Sequence, residues 1–205
     1  MRKVLLFDID KTLFDRESYL NDFWSILVSE FEFTKDELAN VMKLYEDIKK
    51  ENNYFAVNEF VEKIYKYYPK TDKNLDYYFE NENIARYVFH DTKVLFEIKD
   101  FEIGIFSKGD KDFQKIKIDK FKKIFDKNLF YIYRNKIKNI PEIIKNHKND
   151  LLFVVDDDVD ALKSFKSFKK DVKTILIDRD NNYKKELNGV DFRIISLFDI
   201  ISILK

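Results

Sequence analysis

The chain has no cysteine, two histidines, three glycines and two prolines among 205 residues. Without cysteine there is no disulfide and no thiolate nucleophile. His90 and His147 are too few and too isolated for a histidine-rich metal site, so a metal, if present, must be held by oxygen. A net charge is missing as well, since 38 basic side chains balance 38 acidic ones. Such a chain has no overall field to gather nucleic acid or a membrane surface, and a small ligand is the expected partner. No apolar run approaches the roughly 18 residues of a membrane span. The basic start Met1-Arg2-Lys3 leads into an apolar run that stops at Asp8, which is not the pattern of a secretory leader. A cytoplasmic location is therefore expected.

What the chain does have is aromatic bulk, 21 phenylalanines and 12 tyrosines, enough to fill the core of one domain or of a domain with an insertion. With few glycines and prolines to punctuate it, periodicity has to divide the sequence. Apolar residues three and four apart from Leu20 through Phe23, Trp24, Leu27 and Val28 to Phe31 predict one helix. Thr34 and Glu37 have the spacing of a capping box ahead of a second, carrying Leu38, Val41, Met42, Tyr45 and Ile48. Phe60, Val61, Ile64, Tyr65 and Tyr68 predict a third, stopped by Pro69, and a weaker set runs from Leu75 to Val88. Residues 16–90 are expected to be helical throughout. On either side, apolar strands near 3–9, 102–107, 128–133, 151–156, 173–178 and 191–196 alternate with helical segments, the pattern of a parallel sheet with crossover helices. The expected fold is α/β, a Rossmann-like parallel sheet core formed by 1–15 and 91–205, with an all-helical insertion at 16–90.

Three of these strands end in chemistry. The first runs Val4-Leu5-Leu6-Phe7 into Asp8-Ile9-Asp10-Lys11-Thr12. Side chains alternate along extended backbone, so Asp8 and Asp10 can leave the strand on one side, where paired carboxylates can share a hard cation or divide nucleophile and acid/base work. The bland alternative is an acidic turn. A second strand, Ile103-Gly104-Ile105-Phe106, ends in Ser107, and a third, Leu151 to Val155, ends in Asp156-Asp157-Asp158. Three acids at the end of an apolar strand are costly unless something positive compensates them, and a magnesium ion would. Open parallel sheets bind ligands at the carboxyl ends of their strands, so the three ends can converge.

In this order, D-x-D-x-T at Asp8 to Thr12, then Ser107, then a lysine in Lys136-Ile137-Lys138-Asn139-Ile140-Pro141, then the acidic cluster resembles the haloacid dehalogenase superfamily. The similarity covers nearly the whole chain, with a general layout like phosphoglycolate phosphatase. It implies an Mg²⁺-dependent phosphatase acting on a small phosphorylated metabolite through an aspartyl phosphate. The helical insertion would then be a cap over the core.

By that resemblance Asp8 is the nucleophile and Asp10 the general acid and base. The dehalogenase branch lacks an aspartate at this second position, so Asp10 favours phosphoryl transfer. Thr12 would bond nearby backbone to hold the loop, while Ser107, with Lys108 and Gly109, would bind phosphoryl oxygens. Gly109 stands where a tight phosphate loop needs positive φ or close backbone approach. For the site lysine, Lys138 has the family's spacing to Pro141 and is the expected residue, with Lys136 as the alternative. The implied metal ligands are Asp8, the Asp10 backbone carbonyl and Asp156, with Asp157 or Asp160 acting through water; a shifted alignment makes Asp157 direct. Two alternatives remain, a phosphomutase of the same superfamily and a non-catalytic binding protein that retains the fold.

Overall fold

A computed structural model describes residues 1–69, 74–183 and 185–205. Six strands, β1 (Lys3–Phe7), β2 (Glu102–Lys108), β3 (Phe130–Tyr133), β4 (Leu151–Asp156), β5 (Lys173–Ile177) and β6 (Phe192–Ile194), form one sheet in the order β3-β2-β1-β4-β5-β6. Every pairing is parallel. From β1 the chain steps outward through β2 to β3, then returns to the other side of β1 and steps outward again. The order thus reverses between β1 and β4, the place where such sheets open a crevice.

Alternation along β1 explains the two-sided core. Val4 and Leu6 point to one face and join Phe106, Ile140, Ala161, Leu162 and Phe165, which come from β2, α6 (Ile140–Asn146) and α7 (Val159–Phe168). Leu5 and Phe7 point to the other face and join a larger cluster that runs into the helical segment through Phe14, Phe23, Leu27 and Phe60. Gly104 of β2 is fixed by close approach, because a Cβ there would stand 2.4 Å from the Leu129 Cβ and 2.6 Å from the Leu129 carbonyl oxygen.

Between β1 and β2 lie α1 (Arg16–Ser29), α2 (Lys35–Asn52), α3 (Val57–Tyr67) and the single turn α4 (Asn81–Ile84). The capping box forms as its sequence predicts: Glu37 N–H donates to Thr34 Oγ1 and Thr34 N–H donates to the Glu37 carboxylate at 2.8 Å. The stretch from Leu75 to Val88 is not one helix. It breaks into 3-10 turns around α4, where the Asn74 side chain accepts from Asp76 N–H and the Asn83 side chain donates to the Tyr77 carbonyl, local bonds that compete with a helical ladder. The expected all-helical stretch includes residues 70–73, which lie outside the described residues. The chain enters and leaves the helical segment side by side: Asp15 N–H donates to Tyr87 O at 2.8 Å, Phe89 N–H donates to Leu13 O at 2.9 Å, and Phe14 bridges Val88. The remaining helices are α5 (Lys111–Ile118), after β2, and α8 (Ile200–Leu204), at the end of the chain. Among the described residues no helix is long and apolar enough to cross a membrane.

Candidate active site

The register of β1 and β4 brings the first two acids together. Phe7 pairs with Val155, and the ladder continues for one more bond, Asp8 N–H to Val155 O at 2.9 Å, so Asp8 and Asp156 occupy the next rung. Both are buried. Between them stands Lys136, buried as well, whose Nζ lies 2.8 Å from each Asp156 oxygen and 3.3 Å from Asp8 Oδ1. Asp157 completes a group of three carboxylates offering ligand atoms within 4.8 Å of one another.

Burial pushes the Asp8 carboxyl up from its ordinary value, and the nearby Asp10 charge adds to this; Lys136 and a bond from Ser107 pull it partly back. Asp156 is pushed up further by burial and by Asp8 and Asp157. Asp157 rises to about 7, from burial first and then the Asp8 charge. For Lys136 burial works toward the neutral form, but Asp156 and Asp8 outweigh it and hold the ammonium above the usual lysine range. Three acids crowded on one cation hold more negative charge than that cation can offset. A hard dication fits them on charge and on donor type, since all the donors are oxygen.

Asp10 faces the same crevice from the loop after β1. Lys117 Nζ donates to Asp10 Oδ1 at 2.6 Å, and Gln114 Nε2 lies 3.1 Å from Asp10 Oδ2, 3.1 Å from Ser107 Oγ and 2.7 Å from the Lys108 carbonyl. Lys117 is buried between rings, its Nζ 5.0 Å from the centre of Phe14 and 4.8 Å from that of Phe113, and burial lowers its pKa. Sequence reasoning missed both residues. They lie on α5 more than a hundred residues from Asp10, and nothing in a lysine-rich chain marks Lys117 out.

The remaining expected residues divide. Ser107, Lys108 and Gly109 do come to the crevice. Gly109 has φ 154° and a Cβ there would meet the Gln114 side chain at 2.9 Å, so both reasons for a glycine apply. Lys138 does not reach the site. It is exposed, and its backbone N–H is spent on Asn135 Oδ1. Lys136 takes its place because it precedes a 3-10 turn at Ile137–Asn139, and two residues along such a turn rotate a side chain by about 240°, away from the sheet. Asp160 is also displaced: it is exposed on the first turn of α7, within 3.9 Å of Lys163. Thr12 is fully buried, and its hydroxyl has no hydrogen-bond partner among the described residues, so it neither lines the crevice nor bonds backbone through its side chain. The loop is held by Arg179 instead, which donates to the Lys11 carbonyl at 3.2 Å and the Thr12 carbonyl at 2.6 Å while pairing with buried Asp91 at 2.9 and 3.0 Å.

No protein-family model matches the sequence, and no curated protein does. Solved structures do match the fold along its whole length. A protein from Burkholderia xenovorans named a haloacid dehalogenase-like hydrolase superposes with a TM-score of 0.71 at 18% identity, over 97% of this chain and 96% of that one. A Bacillus subtilis protein named as a HAD-hydrolase, YfnB, bound to magnesium, gives 0.63 at 12% identity over 100% and 99%. A 2-haloacid dehalogenase from Pseudomonas syringae gives 0.61 at 13% identity over 100% and 98%. Dehalogenases and phosphatase-like chains both recur among the other similar structures.

Proposed function

We propose that this chain, which has the fold of the haloacid dehalogenase-like hydrolases, is a Mg²⁺-dependent phosphatase of small phosphomonoesters. The observation that carries the reading is the pairing of two separately held acids at one crevice: Asp8, beside Lys136 and Asp156, and Asp10, held by Lys117 and Gln114. Dehalogenases share the fold, but by the resemblance in sequence they lack the second acid. A chain that commits a buried lysine and a glutamine to placing Asp10 has a use for that carboxyl.

Asp8, Asp156 and Asp157 would hold the ion, which when bound would offset charge around the phosphoryl group. An Asp8 carboxylate oxygen attacks phosphorus as the ester P–O bond breaks, and the departing oxygen takes the proton of Asp10. Asp10, now a carboxylate, accepts a proton from water as that water attacks the aspartyl phosphate, which frees phosphate and restores Asp8. Lys136 stabilises the negative charge gathered between Asp8, Asp156 and the phosphoryl oxygens. The Ser107 hydroxyl would face the same oxygens, with Lys108 and Gly109 beside it on the cavity wall. The helical segment is assigned the role of a cap that excludes water during the first transfer.

A screen of phosphorylated metabolites with Mg²⁺ tests the reading. Phosphate release is expected to stop in chelator and to fall to background in Asp8→Asn. Halide release from 2-haloacids without any phosphatase activity would overturn it.

A further inference from the structure

The cavity over Asp8 and Asp10 measures about 490 Å³, far more than one phosphoryl group fills, and its outer wall is built by the helical segment. Most cations around the cavity already have a carboxylate. Lys11 pairs with Glu17, Lys49 with Glu46, Lys117 with Asp10 and Lys136 with Asp8 and Asp156. Arg16 does not. The only hydrogen-bond partner of the Arg16 guanidinium among the described residues is neutral, the Tyr45 hydroxyl at 2.8 Å. The guanidinium is half-buried, fixed between α1 and α2, and close enough to feel the charges of Asp10 and Lys117 without contacting either. A partly desolvated guanidinium without an anion is unfavourable, and its planar fork suits a carboxylate or a phosphate.

The half-buried Arg16 guanidinium is therefore the group at this cavity that a ligand anion would satisfy. We propose that the group esterified to the phosphate carries a second anion, bound by Arg16 on the Asp10 side of the cavity. This rests on the phosphatase reading for the orientation of the substrate and goes beyond it in fixing the substrate class.

Ligands with a P–C bond separate the two ideas, since they bind without being hydrolysed. Calorimetric titration of the full chain with Mg²⁺ would compare propylphosphonate with 3-phosphonopropionate, which differs in carrying a carboxylate, and with 1,3-propanebisphosphonate, which carries a second phosphoryl group. At least one of the dianionic-ended ligands is expected to bind about 10–100-fold more tightly than propylphosphonate, the worth of a charged hydrogen-bonded pair. The better of the two identifies the anion. In Arg16→Met that ratio is expected to fall toward one, and in Arg16→Lys to keep part of its size. Equal binding of all three ligands by the wild type, or a ratio unchanged in Arg16→Met because both affinities fall together, would overturn the proposal; the second result would mean that Arg16 serves the phosphoryl group. Phosphate release from 3-phosphoglycerate and glycerol 3-phosphate, measured beside it, reports on the phosphatase reading alone.

Discussion

Lys11 is the residue on which the shape of the leading loop turns. It has φ 61°, a left-handed conformation that costs an ordinary L-residue about 1–2 kcal/mol. The loop tolerates this because Lys11 pairs with Glu17 and its carbonyl is held by Arg179. Lys11→Gly is therefore expected to change stability by less than about 1 kcal/mol, relief of strain being offset by a freer unfolded chain. Lys11→Val, β-branched at positive φ, should lose more than about 1 kcal/mol. Urea unfolding midpoints measure both, and equal losses would show that the ion pair, not the backbone, governs the position. The sequence showed the run from Asp8 to Thr12 but not the left-handed turn at Lys11 inside it. It did not show which lysine enters the site. The spacing to Pro141 favoured Lys138, but spacing along a chain carries no information about direction around a turn, and one 3-10 turn sends Lys138 outward and Lys136 inward.

At the scale of elements, α5 positions the acid that the proposed reaction needs. Asp110 caps it, accepting from Asp112 N–H and Phe113 N–H. Gln114 and Lys117, three residues apart and so on one face, both reach Asp10. Lys117→Met should free Asp10 to wander from the leaving oxygen. A substrate with a poor alkyl leaving group is expected to lose at least about tenfold more in kcat than an aryl phosphate whose leaving group needs no proton, since general acid catalysis contributes about 10²–10⁴. An identical loss on both would show that Lys117 supports the fold and not the proton transfer. This role was illegible in the sequence, because a contact across a hundred residues leaves no local pattern. What was legible were elements whose cause is local: the capping box at Thr34 and Glu37, the apolar stripe of α1, and the short strands that end in acids. The stretch after Leu75 was misread for the same reason in reverse, since asparagine side chains there bond their own backbone.

For the molecule as a whole, the crowding of Asp8, Asp156 and Asp157 links stability to pH. Asp157 has a carboxyl near 7 in the folded state against about 3.9 unfolded, so the folded chain binds more protons between those values. The sign follows: without metal, this group's contribution to stability is lost as pH rises from about 4 through 7. A dication bound to the charged carboxylates stabilises only the folded form, and more so where they are ionised. The rise in Tm caused by Mg²⁺ over chelator should therefore be larger at pH 7.5 than at pH 5.5, and a rise that is equal or smaller at the higher pH would show that the acids are not the binding site. The parallel sheet itself could be read from the alternation of strands and helices. The strand order needed the structure, because it depends on which side of β1 the returning strand takes.

The two crossings at Leu13–Asp15 and Tyr87–Phe89 are bonded to each other, and the Arg179–Asp91 pair grips the chain on both sides of them. Two tethers fastened together in this way behave like the leaves of a door hinge. They resist twisting and sideways sliding, since either would shear their shared hydrogen bonds, and they leave bending about one line as the soft degree of freedom. Because the Arg16 guanidinium and the Tyr45 hydroxyl are bonded at 2.8 Å, a swing about that line would carry the two together. If the helical segment acts as the proposed cap, its arginine and tyrosine would keep one geometry as it moved, and closure would change only their distance from Asp8 and Asp10.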